Sequence, residues 1–321
     1  MQLYLNMKNI LVIGACGQIG SELVPALQNL NGIETVYASD KKDPPKDLLE
    51  KFHSFHLLDV LNYDTVDSFV KKYNVDTIYH LASLLSASGE KNPQTAWDLN
   101  INGLLNILEI ARNNKIQKIV WPSSIAAFGP STPRNNTPNE TILQPTTIYG
   151  ITKVTGELLI KYYSNKFGLD VRSLRLPGII SSETLPGGGT TDYAVEIFYD
   201  CLKRKHYKCF LEKDTVLPML YMKDCIKALI QVMEADSARM KHRVFNLTGM
   251  SFSCEQLANE IKKHVPEFTI EYEPDERQRI ADSWPRTIND SLARAEWGWK
   301  PTYTLKTMTI DMLQSLRKRI F

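Results

Sequence analysis

The chain has 321 residues, with 38 Lys and Arg against 36 Asp and Glu, a formal charge of +2, 43% hydrophobic and 23% charged residues. That balance suits a globular enzyme and excludes a polybasic nucleic-acid surface or an acidic tail, so the expected partner is a small molecule and not a nucleic acid. No apolar run approaches the ~20 residues of a membrane span, so no membrane partner is expected either.

The five cysteines, Cys16, Cys201, Cys209, Cys225 and Cys254, are scattered and form no C-x-x-C pair. They read as free thiols in a reducing compartment, without a disulfide framework or a zinc knuckle. His53 and His56 have no partners at ligand spacing, and no metal is expected. The first six residues, 1–6, are too short for a signal peptide, and the first strand is expected almost at once. The expected location is cytoplasmic, or the mitochondrial matrix for a product whose transit peptide has been removed.

In chain order, short apolar runs alternate with amphipathic stretches. Residues 9–13 (NILVI) form a buried-type strand, followed by a glycine-rich turn and a helix to about Leu30. Residues 35–39 form a second strand closed by Asp40, and 41–51, with Pro44 and Pro45, a loop. A third strand covers 54–58, a helix 64–72 and a fourth strand 77–80. Apolar residues at helical spacing (Trp97, Ile101, Leu104, Leu105, Leu108) predict one long helix over 92–114. A fifth strand covers 118–121, an irregular loop 129–147, a helix 149–167 and a sixth strand 170–175. After Pro177 the alternation lapses, apart from a helix at 223–234, a strand at 243–247 and a capped helix at 253–264.

The pattern predicts an α/β fold: a doubly wound parallel sheet of Rossmann type with a smaller C-terminal substrate lobe. The nucleotide-binding domain is expected over 7–177 and 222–249, the substrate-binding lobe over 178–221 and 250–321.

Gly14-x-x-Gly17-x-x-Gly20 lies between a strand and a helix, where a dinucleotide pyrophosphate meets backbone amides and the helix dipole. Twenty residues on, Asp40 ends the second strand, placed to accept both hydroxyls of an adenosine ribose. The same carboxylate repels a 2′-phosphate, so NAD is expected over NADP.

Five tyrosines satisfy Y-x-x-x-K: Tyr4/Lys8, Tyr37/Lys41, Tyr149/Lys153, Tyr162/Lys166 and Tyr199/Lys203. Spacing cannot choose among them, but position can. Only Tyr149 opens a helix after the fifth strand, beside the crevice where open α/β sheets bind ligands, with Lys153 one turn on. A phenol of pKa about 10 is a poor base near neutrality; lowering it by about 3 units needs roughly 4 kcal/mol, expected in part from a nearby ammonium and in part from the cofactor's positive nicotinamide ring and low local solvation. At the end of the fifth strand, Ser124 is the first choice to hold a substrate hydroxyl and Ser123 the alternative.

These residues, with Leu58-Asp59-Val60, His80-Leu81-Ala82-Ser83 and Trp297-Gly-Trp299-Lys-Pro301, together resemble the extended short-chain dehydrogenases/reductases. The stretches 123–129 (SSIAAFG), 145–153 (PTTIYGITK), 176–181 (LPGIIS), 187–198 (GGGTTDYAVEIF) and 280–285 (IADSWP) are similar to the branch that oxidises a β-hydroxy amino acid.

The resemblance implies oxidation of the β-hydroxyl of L-threonine to 2-amino-3-ketobutyrate, with NAD as cofactor, Tyr149 as general base and Ser124 and Lys153 as its catalytic partners. It places NAD on Gly14, Gly17, Gln18, Ile19, Gly20, Asp40, Leu58, Asp59, Leu81, Ala82, Tyr149, Lys153 and Pro177. Substrate contacts fall on Ser83, Ser124, Tyr149, Thr190 and Thr191, and Asn100 supports the active-site backbone. Pairing of the helices at 92–114 and 149–167 implies a homodimer. Glycines 187–189 before a capped helix read as the hinge of a lid.

Two other readings stay open. A nucleotide-sugar epimerase or dehydratase would use Arg277, Arg279 and Arg286 on a diphosphate; a non-catalytic NAD sensor would have no need of Ser124, Tyr149 and Lys153.

Overall fold

The computed structural model describes residues 7–185, 187 and 189–321. Tyr4 and Gly188 lie outside the described residues, so the hinge reading of 187–189 falls in part outside them. By internal contacts the chain divides into two compact units. The first holds residues up to Ser124, with Thr147–Arg175 and Ile226–Phe245; the second holds Ile125–Thr146, Leu176–Cys225 and Asn246–Phe321. Residues 125–146, which the sequence reading keeps in the first domain, group with the second unit.

The first unit is built on β1 (Ile10–Ile13), β2 (Val36–Asp40), β3 (Phe55–Leu57), β4 (Thr77–His80), β5 (Lys118–Val120), the two-residue β6 (Ser123–Ser124), β7 (Val171–Leu176) and β8 (Val244–Asn246). The sheet order is β8-β7-β5-β4-β1-β2-β3, with β6 on β7, and the pairings from β3 through to β7 are parallel. β1, β4 and β7 are buried at every residue, as strands covered on both faces must be. Ile13 pairs with Ser39 on one side and His80 on the other. The chain therefore reverses its direction of winding at β1 and β4, and their carboxyl ends flank the crevice where such sheets bind ligands.

The long helix expected over 92–114 is interrupted. Helix Pro93–Trp97 runs into a π turn, Asp98–Asn102, and resumes as Gly103–Asn114. The extra residue turns Asn100 inward: fully buried, it accepts from Leu84 N at 2.8 Å and donates to Leu84 O and Thr152 Oγ1, each at 3.1 Å. Apolar periodicity cannot show a π turn, because the flanking apolar positions still read as helical.

Helix Ile148–Phe167 starts at an N-cap, Thr147, whose hydroxyl accepts from Gly150 N, and ends at Gly168 in the left-handed region. Gly156 sits mid-helix against Trp121, and an added Cβ would stand 2.3 Å from the indole ring.

β7 carries two buried arginines. Arg172 reaches the carbonyls of Val232, Met233 and Ala235 at the C-terminus of helix Met222–Glu234, where a cation meets the negative end of the helix dipole. Arg175 pairs with Glu157. At the end of β4, His80 is fully buried and neither ring nitrogen has a hydrogen-bond partner. Burial, with the Lys153 charge adding to it, holds its pKa down to about 3.

In the second unit, Gly178–Ile180, Val216–Tyr221 and Met250–Ser253 form a three-stranded sheet, and His206–Cys209 pairs with Thr269–Tyr272. The expected capping box of Ser253 and Gln256 starts helix Cys254–Lys262. The helix expected from 190 begins at Tyr193 and runs to Arg204, and a C-terminal helix, Leu305–Ile320, has no counterpart in the sequence reading. Trp299 is buried with its indole N–H donating to Thr248 O and Asp290 Oδ2, which accounts for the tryptophan-rich tail. Among the described residues no helix is long and apolar enough to cross a membrane.

Two outcomes are expected. Gly156→Ala lowers the unfolding free energy by roughly 1–3 kcal/mol despite alanine's better helix propensity, because Trp121 has to give way; an unchanged urea midpoint would contradict the packing. His80→Leu changes the acid limb of stability. The folded pKa lies below the unfolded value of 6.5, so as pH falls the unfolded state takes up a proton that the native state refuses, and stability is lost between 6.5 and about 3. The leucine variant loses that slope, worth up to about 1.4 kcal/mol per pH unit; identical slopes in denaturant titrations would refute the assignment.

Candidate active site

β1 leads into the turn that the glycine spacing predicts. Gly14 has φ +85°, and its amide and that of Ala15 both donate to Ser39 O at 2.9 Å. A Cβ at Gly14 would stand 2.6 Å from Ala82 N, and one at Gly20 would stand 2.4 Å from Gly14 O. Both positions therefore require glycine, the first for conformation and approach, the second for packing the helix against the turn. Helix Gly20–Asn31 starts without a side-chain cap; Ser21 N donates to Gly17 O at 3.0 Å and Leu23 N to Ile19 O at 2.8 Å, so what the turn offers a ligand is its backbone at Gln18 and Ile19, ahead of the helix.

A cleft open to solvent lies over this turn. It gathers Gly14, Gly17, Asp40, Leu58, Asp59, Leu81, Ala82 and Ser83, all anticipated from sequence, with Ile13, Lys41, Val60 and Leu99, which were not. Gln18, Ile19, Gly20, Tyr149 and Lys153 belong to the same unit but do not line the cleft. The Asp40 carboxylate sits at its edge and accepts from Cys16 N at 3.1 Å and Lys41 N at 2.8 Å. Glycine backbone at the floor, an uncapped helix start and a carboxylate at the end of β2 fit a dinucleotide.

Tyr149, in the first turn of helix Ile148–Phe167, makes side-chain hydrogen bonds to both Ser124 and Ser83. Ser83 in turn donates to Asn100 Oδ1 at 3.1 Å, and Thr152 Oγ1 links Asn100 to Tyr149 O. The two serine candidates separate here: Ser124 faces Tyr149, whereas Ser123 donates to Glu157 Oε1 at 2.6 Å. Sequence reasoning did not single out Glu157, although its place four residues after Lys153 was a visible signal.

Lys153 is almost fully buried. Its ammonium donates to Pro122 O at 2.8 Å and lies 4.3 Å over the Trp121 ring and 5.3 Å from the Tyr149 ring centre. Burial pushes Tyr149 up to about 12, opposed only by the serine hydrogen bonds, and pushes Lys153 down to about 7. The lysine's nearest neighbours are a carbonyl and an indole face, so desolvation outweighs the opposing Glu157 charge.

A second Y-x-x-x-K pair on the same helix behaves differently. Tyr162 is exposed and accepts from Lys166 Nζ at 2.8 Å, a surface contact. Pro177, Thr190 and Thr191 belong to the second unit. There Thr190 is buried, and Thr191 packs against Gly178, where a Cβ would meet its side chain at 2.7 Å.

Comparison with known proteins agrees with this geometry. Residues 10–248 match the model of the NAD dependent epimerase/dehydratase family. An uncharacterized epimerase/dehydratase of Staphylococcus haemolyticus is 48% identical over 98% of this chain and 99% of its own. The structure of L-threonine dehydrogenase from Clostridium difficile superposes with a TM-score of 0.95 at 49% identity, covering 98% of each chain. A monomeric L-threonine 3-dehydrogenase from a metagenome gives 0.92 at 46% identity, covering 97% of this chain and 99% of that one. With a mostly parallel Rossmann-type sheet, a glycine turn that fits a dinucleotide and full-length relatives at nearly half identity, the chain belongs to the NAD-dependent epimerase/dehydratase family of the extended short-chain dehydrogenases/reductases.

Proposed function

We propose that the protein oxidises the β-hydroxyl of L-threonine to 2-amino-3-ketobutyrate with NAD, Tyr149 acting as general base. The observation that carries this is the Tyr149 hydroxyl, bonded to Ser124 and Ser83 at the carboxyl edge of the sheet and followed one turn on by Lys153. The likeness to structures described as L-threonine dehydrogenases supports the choice of substrate.

In this reading Gly14, Gly17, Gly20 and the amides of Gln18 and Ile19 hold the pyrophosphate, and Asp40 takes the adenosine ribose. Leu58, Asp59, Leu81 and Ala82 hold the adenosine side of the cleft, with Pro177 near the nicotinamide. When bound, oxidised NAD supplies the hydride acceptor and a positive charge close to the phenol. Ser124 and Ser83 orient the substrate hydroxyl toward Tyr149, which takes its proton as the Cβ–H bond is lost as hydride. Lys153 stabilises the phenolate, and Thr190 and Thr191 complete the substrate contacts. The β-keto acid formed can lose CO₂ to give aminoacetone.

A nucleotide-sugar reading would need free cations for a diphosphate. Arg277, the first of its three candidates, is instead held by Asp275 at 2.6 Å and stacked on Phe210. The reading also extends to a homodimer, with Leu158 and Tyr162 exposed on helix Ile148–Phe167; light scattering of the purified protein checks it, and a monomer mass rejects it.

Incubation with NAD and L-threonine is expected to accumulate NADH, with UDP-sugars as the control. Sugar conversion without NADH would replace this reading by the epimerase one. Tyr149→Phe is expected to lose about 10²–10⁴-fold in kcat while keeping its NAD affinity. A phenylalanine variant of ordinary activity would remove Tyr149 as the base.

A further inference from the structure

We propose that Glu157 is a positioning residue for Lys153: its buried carboxylate, pinned by Arg175 and Ser123, favours the charged form of the lysine against burial and leaves it aimed at the edge of the sheet. The inference rests on the reading of Tyr149 and Lys153 as the reacting pair.

Glu157 follows Lys153 by one turn on the same helix, so the two side chains share a face. Lys153 is 3% exposed, Glu157 2%, Arg175 1% and Ser123 2%. At such burial an ammonium is stable only beside an opposite charge, and Glu157 is the anion acting on it. Both carboxylate oxygens are occupied. Oε1 accepts from Ser123 Oγ at 2.6 Å and Arg175 Nε at 2.9 Å, and Oε2 accepts from Arg175 Nη2 at 2.8 Å. Glu157 is therefore fixed in place by Ser123 and Arg175. It leaves Lys153 to bond Pro122 O rather than drawing the ammonium into a close pair.

The other titratable groups around the lysine do not replace it. From β4, His80 is neutral; on the helix itself, Tyr149 is a protonated phenol. From β7, Arg175 has the same sign as Lys153 but is turned into Glu157. From helix Ser86–Lys91, Glu90 is engaged by Ile148 N at 2.7 Å, at the start of the Tyr149 helix. The residues that grip the two side chains are consecutive, Pro122 on Lys153 and Ser123 on Glu157, so one strand end sets both.

A plain structural role, stapling the helix to β7, would use the same contacts. The titration of Lys153 distinguishes the two. With lysine side chains labelled with ¹⁵N in the full-length protein, and the Lys153 signal identified by its loss in Lys153→Met, the signal is followed from roughly pH 4.5 to roughly pH 10. Glu157→Gln is expected to move the Lys153 titration down by about one pH unit or more, and the alkaline limb of kcat/KM down with it. Glu157→Asp, which keeps the charge, is expected to restore most of the shift. An unshifted lysine in Glu157→Gln overturns the proposal, as does a Glu157→Asp variant shifted just as far. Should Glu157→Gln fail to fold, the Glu157→Gln/Arg175→Gln pair, which leaves no lone buried charge, carries the same downward expectation and the same overturning result. Failure of the wild-type protein to oxidise L-threonine would sink the substrate reading alone, since the lysine titration needs no substrate.

Discussion

Lys153 brings a titratable amine into the buried interior of the first unit, and its neighbours there are a carbonyl, an indole face and, one turn away, a carboxylate. Removing one member of a buried ion pair of the Glu157–Arg175 kind leaves an uncompensated charge, a loss of about 3–5 kcal/mol. The strand ends, the helix and the charged pair therefore hold one another in place. Trp121 is the common wall: the lysine lies over its face and Gly156 presses against its edge, with no room for a methyl group. Geometry of this kind is held by packing, not by loops, which suits a site that has to place a hydroxyl within hydrogen-bond range of a base.

The electrostatics within the protein favour neutrality at both members of the Tyr149–Lys153 pair, the phenol pushed up and the lysine pushed down. The groups that favour the ionised form of Tyr149 are the hydroxyls of Ser124 and Ser83.

Much of this was legible along the chain. The strands are continuous apolar runs ending in Asp40, His80 and Ser123-Ser124, and their order requires a crevice between β1 and β4. The glycine turn could be read because positive φ and close approach leave no other residue type. Choosing Tyr149 among five look-alike pairs was possible because helix starts follow strand ends, and the exposed Tyr162/Lys166 contact shows what the spacing means elsewhere. What could not be read depends on distant neighbours. Arg175 is far from Glu157 in sequence, and a charged residue within an apolar strand reads as an exception until its partner is seen. The depth of burial of Tyr149 and Lys153 is of the same kind: it is a property of the assembled core, and residue spacing does not report it.

The π turn at Asp98–Asn102 carries a consequence for how this chain can change. It adds one residue to a helix whose later positions, Leu104, Ile107 and Leu108, are wholly buried. Each residue advances a helix by about 100°, so trimming that extra residue would swing the downstream segment by more than a quarter of a turn and carry its apolar stripe off the sheet. Asn100 would lose Leu84 and Thr152 in the same step. Along this stretch, substitutions can accumulate one at a time, but length cannot drift: the register of the whole segment is tied to a single inward-turned amide.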